Sequence, residues 1–141
     1  MRYPLIVVCA WAMLQWTVVG ALGVSDNMAR CYPADTRRAV TDLRRVAGWN
    51  DFYDSYKRYS RCDAGRVAEE YSYALGRLLA REWKDVNLLL RLAVSDPAFK
   101  QFVLKHIDEN VPEEESQVII RNAREQCPSD GEWLCKAIVD Y

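Results

Sequence analysis

In "CDAGRVAEEYSYALGRLLAREW" (Cys62–Trp83), Val67, Tyr71, Leu75 and Leu78 follow one another at spacings of four, four and three. Only a helix brings positions so spaced onto one face. The same period runs through the segments on either side. "ADTRRAVTDLRRVAG" places Val40, Leu43 and Val46 together, with Asp35 or Thr36 as the expected cap. "SDPAFKQFVLKHIDEN" starts with Ser95 as the expected N-cap and Pro97 in the first turn, and carries Phe99, Phe102, Val103, His106 and Ile107 on one face. "DVNLLLRLAV" is apolar nearly all round, which predicts the most buried helix. In the long segment Asp63 is the expected cap, and Arg66, Glu69, Glu70, Arg77 and Arg81 are expected to face water. No strand-like alternation of useful length interrupts this pattern. The reading is an all-α fold, a compact bundle of six or seven short helices.

The first 23 residues are different in kind. Arg2 is their only charge, and the stretch from Pro4 to Gly23 is uncharged and ends in small residues. A basic start, an apolar middle and a small-residue exit make up a secretory signal. Ala21-Leu22-Gly23 and Val19-Gly20-Ala21 are the two candidate exits, with cleavage before Val24 or Leu22. A retained membrane anchor is the alternative, since about 20 apolar residues can span a bilayer. Residues 1–23 are therefore read as a signal peptide and 24–141 as one domain, in the periplasm or secreted. Cys9 leaves with the signal.

Export gives the remaining cysteines their meaning. Cys31, Cys62, Cys127 and Cys135 are an even set, and four cysteines allow three pairings. "CPSDGEWLC" (Cys127–Cys135) lacks the close pairs of a structural zinc site and the C-x-x-C of a redox couple. The reading is two structural disulfides, Cys31 with Cys62 and Cys127 with Cys135. On the chain-entropy model they stabilise by about 3.7 and about 2.6 kcal/mol.

Charge excludes some partners. Nineteen basic and 20 acidic residues leave the chain near neutrality, which does not suit nucleic acid. The balance is uneven. Residues 24–84 hold 12 basic and 9 acidic residues, whereas 85–141 hold 6 and 11.

Catalytic signals are sparse. His106 is the only histidine, and no G-x-S-x-G, P-loop or H-E-x-x-H is present. On an apolar helix face, His106 is expected to be half-buried and hydrogen-bonded. Neither a catalytic residue, a metal ligand nor a cofactor site is assigned. Two groups stand out as candidate binding surfaces. Asp108, Glu109, Glu113, Glu114 and Glu115 form an acidic run, either a solvated corner that complements a helix dipole or a docking patch for a basic partner. Trp49, Phe52, Tyr53, Tyr56 and Tyr59 form an aromatic cluster, either core or the wall of an interface or ligand pocket.

A cleaved signal, a small helical domain, four cysteines, an acidic patch and no catalytic set resemble the small periplasmic immunity proteins of Gram-negative bacteria, the Tai-type proteins that neutralise secreted peptidoglycan amidases. "YKRYSRCDAG" and "DPAFKQFVLKHID" are similar to segments of exported bacterial proteins. The resemblance is architectural and transfers no inhibitory residue. It implies a non-enzymatic binding protein, an inhibitor or immunity-type partner of another protein such as a basic toxin or enzyme. Two other classes fit the same features: a secreted helical carrier of a small apolar ligand, with a cavity expected near Tyr56 and Tyr71, and a structural protein of the envelope.

Overall fold

The computed structural model describes residues 30–107 and 111–140, and the segment read as a signal lies outside them. Among the described residues there are seven α-helices and no strands. They are α1 (Pro33–Arg44), α2 (Trp49–Tyr59), α3 (Arg66–Arg81), α4 (Val86–Ser95), α5 (Pro97–Lys105), α6 (Glu113–Glu125) and α7 (Glu132–Asp140). Single 3-10 turns at Ser60–Cys62 and Trp83–Asp85 lead out of α2 and into α4. No helix among the described residues is long and apolar enough to cross a membrane.

The longest helix, α3, is the spine. It packs against α1 and α6, α6 packs against α7, α1 against α2, and α4 against α2 and α5. Because α3 is covered from two sides, nine of its 16 residues are buried, among them Val67, Tyr71, Leu75, Leu78 and Leu79. This corrects the expectation for α4. That helix buries Val86, Leu89, Leu90 and Ala93, but Val94 is 78% exposed. An apolar helix at the side of a bundle still has an outer face.

Several polar residues expected at the surface or at caps are used inside. Glu70 is buried, and its Oε1 accepts from Arg44 Nε at 2.8 Å and Nη2 at 2.5 Å, joining α1 to α3. Arg77 Nη2 donates to the Leu43 carbonyl oxygen at 3.0 Å, two helical turns further along the same face. Asp63 does not cap α3. The chain enters that helix through Gly65 at φ +50°, a conformation that glycine adopts without steric cost. Ser95 is the last residue of α4, with its hydroxyl donating to Arg91 O. The cap falls to Asp96, whose Oδ1 accepts from Phe99 N at 3.1 Å with Pro97 in the first turn. Helix α1 likewise starts early, at Pro33, and Asp35 reaches back to accept from Tyr32 N at 3.3 Å.

Both disulfides pair as the spacing suggests. Cys31–Cys62 ties the chain before α1 to the turn before α3, and Cys127–Cys135 closes the corner between α6 and α7. Such bonds persist in oxidising compartments. The second one holds a nine-residue helix too short to persist by itself.

Candidate functional site

The acidic run divides by position. Pro112 precedes α6, and Glu113, Glu114 and Glu115 fill its first turn, where the helix dipole favours negative charge. Glu115 is half-buried and paired within the chain. Its Oε1 accepts from Arg81 Nη2 of α3 at 2.6 Å. Glu113 Oε1 accepts from Gln117 Nε2 at 2.9 Å, one turn along, and both Glu113 and Glu114 are exposed. Asp108 and Glu109 lie outside the described residues.

The aromatic cluster turns inward. Trp49, Phe52 and Tyr59 are buried, and Tyr53 and Tyr56 are half-buried. Phe52 meets Tyr71 edge-on at 5.9 Å, Tyr53 and Tyr56 lie 4.9 and 5.0 Å from Phe99, and Phe102 lies 4.7 Å from Tyr71. These rings join α2, α3 and α5. Four of the cluster's polar atoms bond within the chain. Trp49 Nε1 donates to Glu82 O, Tyr53 Oη to Asp96, Tyr59 Oη to Asp42 and Tyr71 Oη to the Ser55 carbonyl oxygen. Burial, then the neighbouring carboxylates of Asp96 and Asp42, pushes the Tyr53 and Tyr59 hydroxyls above the usual tyrosine range. Burial also raises Tyr71, with Asp63 adding to the effect. This cluster supplies core and ties between helices.

His106 holds a buried polar junction that no linear motif announces. It is 3% exposed, deeper than its position on the helix face suggests. Its Nδ1 lies 3.1 Å from Ser72 Oγ of α3, and its Nε2 lies 3.1 Å from Asp63 Oδ1. Lys105 Nζ donates to the other oxygen of Asp63 at 2.5 Å. Serine, histidine and aspartate thus converge although the chain has one histidine. The arrangement differs from a hydrolase triad. The hydroxyl sits on Nδ1 and the carboxylate on Nε2, and Ser72 is buried within α3. The visible role of the junction is to pin the end of α5 to the start of α3.

His106 also forms part of the floor of a cleft on the opposite flank of α3 from α1. The cleft is open to solvent and has a volume of about 410 Å³. Leu75 and Leu79 of α3, Ile119 of α6 and Ile138 of α7 are its buried apolar surfaces. Ile107, Val111 and Ile120 are half-buried walls, and Glu113 and Ser116 bring polar groups to the side near the start of α6. Gly76 lies beneath Val111. A methyl group added there would stand 2.6 Å from Val111 Cγ2, so the absent side chain lets Val111 rest on the α3 backbone. A larger groove of about 620 Å³ runs past Trp49 but is lined by Asp51, Glu82, Lys84, Asp85 and Arg91, charges of both signs. The smaller cleft has the makeup of a binding site: apolar surfaces with a few convergent polar groups, and a volume within the usual range.

Among the described residues no three histidine, cysteine, aspartate or glutamate side chains gather to hold a metal ion. Compared with known proteins, the chain matches no family model, no curated protein and no solved structure. The cleft's own chemistry therefore carries the functional reading. Of the described candidate residues taken from the sequence, Glu113 lines it. This open cleft is lined by Leu75, Gly76 and Leu79 rather than by Tyr56 and Tyr71, where the carrier reading expects a closed cavity. In the sequence Leu75 reads only as core, because apolar spacing is the same whether a helix face is fully covered or left partly open.

Proposed function

We propose that this is a periplasmic or secreted binding protein that acts on another protein, as an inhibitor or immunity-type partner, and that the cleft between α3, α6 and α7 is its working surface. One observation carries the reading: an apolar cleft of about 410 Å³ with a carboxylate, Glu113, at its side. Buried Leu79 and Ile138 and half-buried Ile120 give this cleft an apolar lining that a partner's apolar group can cover. Two structural disulfides suit a protein that must keep its shape outside the reducing cytosol. Of the described residues of the acidic run, Glu113 and Glu114 are exposed to a partner, and Glu115 is paired with Arg81.

The test is native mass spectrometry of the protein purified gently from the compartment of its exporting host, beside a variant whose cleft is filled. Ser116→Phe places an aromatic ring on the cleft wall and removes no core contact of size. The expected result is a second polypeptide bound to the unmodified protein and absent from the variant, with both chains equally stable. A partner retained equally by both would remove the cleft from the interface. A small-molecule adduct in place of a polypeptide would favour the carrier reading.

A further inference from the structure

We infer that the cleft receives an apolar side chain of a partner segment that carries a lysine or arginine beside it. This rests on the cleft being the working surface and adds the chemistry of what enters it.

Size comes first. The cleft, of about 410 Å³ and open to solvent, has room for apolar side chains of a partner. Leucine- or phenylalanine-sized groups match its lining of Leu75, Leu79, Ile119, Ile120 and Ile138.

Charge comes second. Among the described residues that line the cleft, Glu113 is the one with a formal charge. Its hydrogen bond comes from the neutral amide of Gln117, which leaves its negative charge in place. Glu114 stands exposed next to it, and Arg81, the basic residue of α3 at this end of α6, is paired with Glu115. The local field therefore favours a cation. A residue adjacent to the inserted side chain is displaced by about 3.3 Å along an extended segment, and a lysine or arginine stem spans the rest of the way to a carboxylate lining the same cleft. An acidic neighbour at the same place would meet like charge.

The experiment uses the disulfide-bonded chain with isotope-labelled isoleucine methyls, which report from Ile107, Ile119, Ile120 and Ile138 inside the cleft. The probes are end-blocked, glycine-flanked peptides at millimolar concentration with the central pairs Leu-Lys, Leu-Ala, Leu-Glu and Ala-Lys. Leu-Lys should shift these methyls at the lowest concentration. Leu-Ala should bind about fivefold more weakly, the upper end for a solvent-exposed ion pair. Leu-Glu should be weaker still. Glu113→Gln and high salt should each bring Leu-Lys down to the level of Leu-Ala. Glu114→Gln, one residue away and outside the lining, should have a smaller effect. Equal binding of Leu-Lys, Leu-Ala and Leu-Glu would overturn the basic-neighbour inference and leave the apolar cleft standing. If no peptide moves these methyls, or Ala-Lys matches Leu-Lys, the cleft is not an apolar docking site and the reading beneath the inference fails with it.

Discussion

Gly76→Ala tests whether the cleft wall is where the structure puts it. Alanine is better than glycine in a helix interior by about 1 kcal/mol, so with free space the change would stabilise α3. Space is not free. The new methyl would stand 2.6 Å from Val111 Cγ2 and 3.1 Å from Cγ1, inside van der Waals contact. Overpacking of this kind costs roughly 2 kcal/mol. The net expectation for Gly76→Ala is a loss of about 1 kcal/mol. Val111→Ala alone removes half-buried methyls and should also cost about 1 kcal/mol. In the double variant the clash is gone while the helix gain remains, so stability should return to about the starting value. The two changes would then be coupled by about 2 kcal/mol, far from additive. Urea denaturation with an unchanged slope measures all four corners of the cycle. If Gly76→Ala stabilises by its full helix propensity and adds simply to Val111→Ala, then Val111 does not rest on α3. The cleft would lose that wall, and the docking reading would lose its geometry.

Further outcomes follow from the rest of the structure. Replacing Cys31 and Cys62 by serine should cost about 3.7 kcal/mol, and replacing Cys127 and Cys135 about 2.6 kcal/mol, read as a larger and a smaller fall in Tm. Asp96→Ala removes the α5 cap and the acceptor of Tyr53, and should cost about 1 to 2 kcal/mol in denaturant titration. The Asp96 carboxyl is held below its ordinary range, first by the Phe99 N–H and then by the Tyr53 hydroxyl and Lys57, so its contribution is present above pH 3.8 and is lost as pH falls through its lowered pKa. Asp96→Asn should flatten that acid limb. Tyr71 behaves in the opposite sense. Its hydroxyl is raised by burial, so the stability it lends is complete below pH 10 and declines as pH rises through and beyond that value, and Tyr71→Phe should remove this alkaline dependence. Ser72→Ala should leave Asp63 bound to Lys105 and cost about 1 kcal/mol, the worth of one hydrogen bond, in thermal unfolding.

The helical class, the approximate number of helices and the short Cys127–Cys135 bridge were legible in the sequence because each rests on short-range information, whereas the Cys31–Cys62 bridge spans 31 residues and its pairing is fixed by the fold. Apolar spacing is a property of one helix at a time, and the Cys127–Cys135 bridge spans a single corner marked by Pro128 and Gly131. Even here local signals compete. Ser95 and Asp96 are both good caps, and the choice went to Asp96, whose side chain also serves Tyr53 and Lys57.

Which helix is covered on two sides is a different kind of fact. Composition pointed to α4, yet α3 became the spine, because burial depends on how many neighbours a helix has as well as on how apolar it is. Glu70 and Glu69 are neighbours of the same type, and only the approach of Arg44 from α1 makes one of them interior. Ser72 and His106 are 34 residues apart and meet because α5 ends against α3. The cleft exists because Leu75, Leu79, Ile119 and Ile138 come from three helices that leave a gap between them. A sequence states what each side chain prefers to bury. Whether a given apolar face is closed by a neighbour or left open to a partner is settled only when all the helices are in place.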